Sequence, residues 1–72
     1  MTVRELLNSE RIENMGVKYI SGYDVTGGTM LKIFSISEKQ KMIDVFGNCN
    51  VLEWHIVLSQ YRPPLLAISF EW

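Results

Sequence analysis

Reactive side chains are scarce in this chain. One cysteine and one histidine stand among 72 residues. Cys49 alone can form no disulfide within the chain, and no cysteine-based zinc site can be assembled around it. His55 lies six residues after Cys49 in sequence, and extended backbone at about 3.3 Å per residue would hold the two well apart. A Cys–His nucleophilic pair is therefore not expected, and neither a metal nor a cofactor is implied. Charge of one sign is also missing as a run. Seven Lys and Arg stand against eight Asp and Glu, for a net charge of −1. The densest basic stretch is Lys39-Gln40-Lys41, with Glu38 and Asp44 beside it. A general nucleic-acid binder would carry a basic stripe to collect phosphates, so that class loses weight. No apolar run approaches the roughly 20 residues of a membrane span. The opening Met1-Thr2-Val3-Arg4-Glu5 lacks the layout of a signal peptide. With no disulfide framework, a soluble, cytoplasmic protein is expected.

What the chain does have is apolar surface and pattern. Apolar residues make up 47% and charged residues 21%, a globular profile. The length suits a single domain with a small core, and oligomerisation is a common remedy for marginal stability at this size. Leu66, Ile68, Phe70 and Trp72 alternate with Leu65, Ala67, Ser69 and Glu71. This period of two predicts a strand that builds the core.

Upstream, Thr2-Val3-Arg4-Glu5 has capping-box spacing and predicts a short helix carrying Val3, Leu6 and Leu7, with Ser9–Asn14 as a continuation or second turn and Gly16 as its stop. Two strands, 17–24 and 30–36, flank Thr26-Gly27-Gly28-Thr29, whose glycines suit a tight hairpin. Ser37-Glu38-Lys39-Gln40 is a second capping-box pattern ahead of Met42, Ile43 and Phe46, and Gly47 is its stop. Residues 51–58 predict a third strand, with Leu52, Trp54, Ile56 and Leu58 on one face and Val51, Glu53, His55 and Val57 on the other. Residues 59–64 form a loop stiffened by Pro63 and Pro64. The expected fold is α+β: a short N-terminal helix and a four-stranded, mostly antiparallel sheet of two hairpins with a short helix between them.

Several clusters invite a functional reading. Gly22 to Thr29 follows the phosphate-loop spacing except that Gly28 replaces the lysine; Asp24 adds repulsion, and a hairpin is the better account. Glu53 and Glu71 fall on the less apolar faces of the last two strands, where a sheet places solvated charges. Tyr61, Arg62 and two prolines sit on one stiff loop, combining residue types enriched at interface hot spots with low ordering entropy. Trp72 is placed to project beyond the sheet. Tyr19 and Tyr23 share a strand face: they are core if that face meets the helices, the favoured reading, and a docking pair if it does not.

The segments Thr2-Val3-Arg4-Glu5-Leu6-Leu7 and Leu65-Leu66-Ala67-Ile68-Ser69-Phe70 resemble the ends of small proteins encoded by phages and prophages of Gram-positive bacteria. The resemblance implies an accessory role in host takeover or anti-defence and transfers no site residues. The expected function is non-enzymatic: a protein-binding module, in the phage-like setting an anti-CRISPR-type inhibitor of a bacterial defence or regulatory protein. Its partner surface is expected at Tyr61, Arg62, Trp72, Tyr23 and Tyr19, and a homo-oligomer is a natural corollary because short sheets leave edges to pair. Two alternatives stay open. One is a homo-oligomer that sequesters a nucleotide signal between subunits through Arg62, Tyr61 and Tyr23. The other is a small nucleic-acid-binding regulator.

Overall fold

A computed structural model describes all 72 residues. Thr2 caps the first helix, α1 (Val3–Leu7), through the capping box: its hydroxyl accepts from the Glu5 amide at 3.2 Å, and the Glu5 carboxylate accepts from the Thr2 amide at 3.0 Å. The Val3 and Arg4 amides, which have no partner inside so short a helix, donate to the carbonyls of Cys49 and Gly47. Ser9 interrupts the helix by capping a second, α2 (Glu10–Asn14), with its hydroxyl on the Arg11 amide. Gly16 then reverses the chain at a φ of 69°, a conformation that favours glycine.

The sheet is mixed and has five strands. β1 (Tyr19–Asp24) pairs antiparallel with both β2 (Thr29–Met30) and β3 (Phe34–Ser35). A 3-10 turn at Ile36–Glu38 leads into α3 (Lys39–Phe46). β4 (Asn50–Ser59) and β5 (Arg62–Glu71) form the second hairpin. β5 lies between β4 and β1 and runs parallel to β1, in the order β2-β1-β5-β4. The α+β class and the helix between two hairpins are as expected. The sheet differs in detail because the second arm of the first hairpin is broken in two. Tyr23 faces Met30, but Ile20 faces Phe34, so the return strand holds one extra residue between these pairs. That bulge puts Met30 and Phe34 on opposite faces, where unbroken alternation would put them together.

The helices cover one face only. Val3, Leu6, Leu7, Ile12, Met42 and Ile43 meet Ile20, Leu66, Ile68 and Phe70 in a single buried cluster. Phe46 extends it, its ring 5.0 Å from that of Phe70. Gly22 belongs to the same face. A β-carbon there would stand 2.9 Å from Met42 Cε, 3.1 Å from Leu31 Cδ1 and 3.2 Å from Phe70 Cε1, so the missing side chain is what lets α3 lie this close to the sheet.

Three sequence expectations are corrected here. The second capping box does not form: the Ser37 hydroxyl is 2.7 Å from that of Ser35, and α3 begins at Lys39 without a side-chain cap. In β4, a bulge between Val51 and Glu53 turns Val51 to the core with Trp54 and Ile56, while Leu52 is displaced from that row. Leu58 keeps the expected face, with Trp54 and Ile56, and is 75% exposed. Pro63 and Pro64 are the start of β5 rather than part of a loop. The hairpin at Gly22–Thr29 forms as read, with the Gly27 amide donating to Asp24 Oδ1 and Gly28 at a φ of 65°.

Candidate functional site on the open face of the sheet

Alternation along β5 sets the uncovered face. With Leu66, Ile68 and Phe70 turned to the helices, Leu65, Ala67, Ser69 and Glu71 point away from them. The neighbours fall into rows across three strands. Tyr19, Leu65 and Val57 form one row; Ser21, Ala67 and His55 the next; Tyr23, Ser69 and Glu53 the third. The middle strand therefore carries small side chains at Ala67 and Ser69, continued by Ser21 on β1 and bounded by Tyr19 and Tyr23 on one side and Glu53, His55 and Val57 on the other. The result is a trough along β5.

Two hollows occupy this trough. The larger, about 340 Å³, is lined by Tyr19, Ile33, Val57, Ser59, Arg62 and Leu65 among others. Arg62 reaches it through a second irregularity in the β4–β5 ladder. Val57 faces Leu65, but Ser59 faces Arg62, so one residue of β5 is skipped and Arg62 is turned onto the open face. The smaller hollow, about 260 Å³, has Ser21, Tyr23, Met30, Glu53, His55 and Ser69 in its wall. These groups are close in register, but no hydrogen bond joins the carboxylate, the imidazole or the hydroxyls to one another. Glu53 and Glu71 share the open face, on neighbouring strands.

The structure divides the five predicted partner residues into three places. Tyr19 and Tyr23 are 40% and 37% exposed on the open face, so their favoured assignment to the core is overturned: the face they share is the one turned away from the helices. Arg62 joins them there, on the wall of the larger hollow. Tyr61 stands at the tip of the β4–β5 turn, 86% exposed and lining neither hollow. Trp72 lies on the helix side, where its ring packs 5.8 Å from Phe46, and its amide donates to the Thr26 hydroxyl. The trio Arg62, Tyr61 and Tyr23 is thus not assembled within one chain. Sequence reasoning missed Met30, Ile33 and Val57, which extend the open face. The bulge between β2 and β3 disguised the first two; Val57 sat in plain alternation with His55 and Glu53.

Titratable groups elsewhere are tied to structure. Burial pushes the Cys49 thiol up, with the charge of Asp24 adding to it, which makes it a core residue and a poor nucleophile at neutral pH. The Thr2 amide, then the Thr2 hydroxyl, holds the exposed Glu5 carboxyl below its usual range. The hydrogen bond and charge of Lys41 do the same for Glu38 across a 2.8 Å ion pair. No cluster of three or more His, Cys, Asp or Glu side chains is arranged to hold a metal ion. No helix is long and apolar enough to cross a membrane. Comparisons with protein-family models, with curated proteins and with solved structures each found no match.

Proposed function

We propose that this chain is a binding module that docks another protein on the open face of its sheet, without chemistry of its own. One observation carries the reading: Tyr19, Tyr23, Met30, Ile33 and Val57 are all exposed on a single uncovered face. Exposed aromatic and aliphatic side chains gathered on one face, with Ser21, His55, Ser69 and Glu53 among them, mark an interaction site rather than ordinary surface. Arg62 at the wall of the larger hollow adds the planar cation common at interface centres. The matching partner presents an apolar side chain to the hollow and a carboxylate to Arg62. The resemblance of the chain ends to phage-encoded proteins supplies a setting for such a partner, a bacterial defence or regulatory protein. The unpaired Cys49 thiol fits a cytoplasmic location within the same proposal.

A second reading, a nucleotide held as an anion, is favoured by one feature. Arg62 and Tyr19 line the same hollow of about 340 Å³, near the lower end of the usual range for small-molecule sites of about 300 to 1,000 Å³. Capture from a host lysate separates the two, using immobilised wild-type chain and the Arg62→Ala and Tyr19→Ala variants. The protein-docking reading expects a partner retained by wild type and weakened about tenfold or more by either variant, with melting temperatures nearly unchanged. Equal capture by all three chains, or elution of the partner by nucleotide, overturns it.

A further inference from the structure

The two edges of the sheet are built differently. One edge consists of β2 and β3, two residues each, separated by the bulge and by Lys32. Short pieces, irregularity and lysine are the usual protections of an edge. The other edge is β4, ten continuous residues. Only its first end is occupied: the Val51 amide donates to the Met1 carbonyl at 2.8 Å, and Thr2 bridges Asn50. No backbone bond reaches the outer side of Glu53–Ser59. That segment, Glu53-Trp54-His55-Ile56-Val57-Leu58-Ser59, has no lysine, arginine or proline, and a single carboxylate at one end.

We infer that Glu53–Ser59 pairs antiparallel with the same segment of a second copy, about a two-fold axis through Ile56. The register follows from what is already occupied. An axis at Trp54 would bring Val57 and Leu58 of the second copy against Val51 and Asn50, where Met1 and Thr2 lie. An axis at Ile56 uses the whole free segment and leaves those two residues in place. It sets Trp54 opposite Leu58 on the helix side, and His55 opposite Val57 and Glu53 opposite Ser59 on the open side. No like charges face each other, and the aromatic–aliphatic pair is of the kind that stabilises neighbouring strands. Leu58, 75% exposed in the single chain, gains a neighbour in the Trp54 ring of the second copy. The segment is thus complementary to itself in length, charge and shape, which favours a second copy over a foreign strand. The open faces of the two copies then join into one broader surface, but the pairing does not depend on what that surface binds.

Sedimentation equilibrium on the full chain tests this. Wild type is expected to be a dimer, and Leu58→Lys to raise its dissociation constant about tenfold or more; since Leu58 is exposed, the melting temperature of the monomer should hold. The register has its own readout. Nitroxide labels at Glu53→Cys and at Ser59→Cys, in separate samples, should give equal distances between copies, about 20 Å from three residues of rise on each side of the axis. Cys49 is fully buried and should stay unlabelled. A wild-type chain that stays monomeric to millimolar concentration, a Leu58→Lys chain that associates as well as wild type, or two unequal distances would each overturn the inference.

Discussion

The two faces of the same sheet obey different rules, and β5 belongs to both. Leu66, Ile68 and Phe70 are buried against three helices, while their immediate neighbours Leu65, Ala67 and Ser69 stay half-exposed on the other side. β1 divides in the same way, giving Ile20 and Gly22 to the helices and Tyr19, Ser21 and Tyr23 to the open side. The covered face is filled to the point that no side chain fits at Gly22. The open face has room for something else, with small residues along its middle and aromatic rings at its flank. The contrast separates the positions that hold the fold from those that are free of it. A side chain moved one position along a strand passes from the packed face to the open one.

That separation can be broken most directly at neighbouring residues. Phe70→Ala should cost about 3 to 5 kcal/mol, the usual cost of truncating a buried ring. For a chain of this size that is a large share of a total of roughly 4 to 11 kcal/mol. Thermal unfolding followed by circular dichroism should show the variant largely unfolded, whereas Ser69→Ala, one residue away on the open face, should melt within a few degrees of wild type. Comparable losses at both positions would mean that the open face is structural too. A smaller contrast lies in β1. Gly22→Val must displace Met42, Leu31 or Phe70 and is expected to lose about 1 to 3 kcal/mol by overpacking, while Ser21→Val on the open side should be neutral by urea denaturation. The smallest effect belongs to the rim of the covered face. The Glu5 carboxyl is held below the usual carboxylate range by the Thr2 amide, so its contribution is present above the unfolded pKa and fades as pH falls through the lower folded one. Glu5→Gln should therefore flatten the pH dependence of the melting temperature below about pH 4.5 and leave it little changed at neutral pH.

Much of the covered face could be read from local pattern, because local rules decide it. The alternation from Leu65 to Glu71 assigns both faces of β5, and the Thr2–Glu5 capping box forms as spaced. The open face was harder for three physical reasons. Single-residue bulges near Leu52 and between Met30 and Phe34 reverse the inward and outward assignment, and no composition flags them. Arg62 reaches the open face only through a ladder irregularity at the turn. Tyr19 and Tyr23 have one orientation in either case, and only the side chosen by the helices decides whether they are core. The Ser37–Gln40 pattern misled because Ser37 has a nearer partner in Ser35. The parallel pairing of β1 with β5 joins residues as far apart as Tyr19 and Leu65, beyond the reach of any windowed pattern.

That pairing also sets the order in which the molecule can be assembled. β1 and β4 are not neighbours; each finds its place only against β5, which is the last strand to leave the ribosome. Until then the first hairpin and β4 have no common sheet to join. A topology dominated by such distant closure is slow to nucleate. The apolar edges of β1 and β4 therefore stay unmatched until β5 is made, and a single strand carries the closure of the whole sheet.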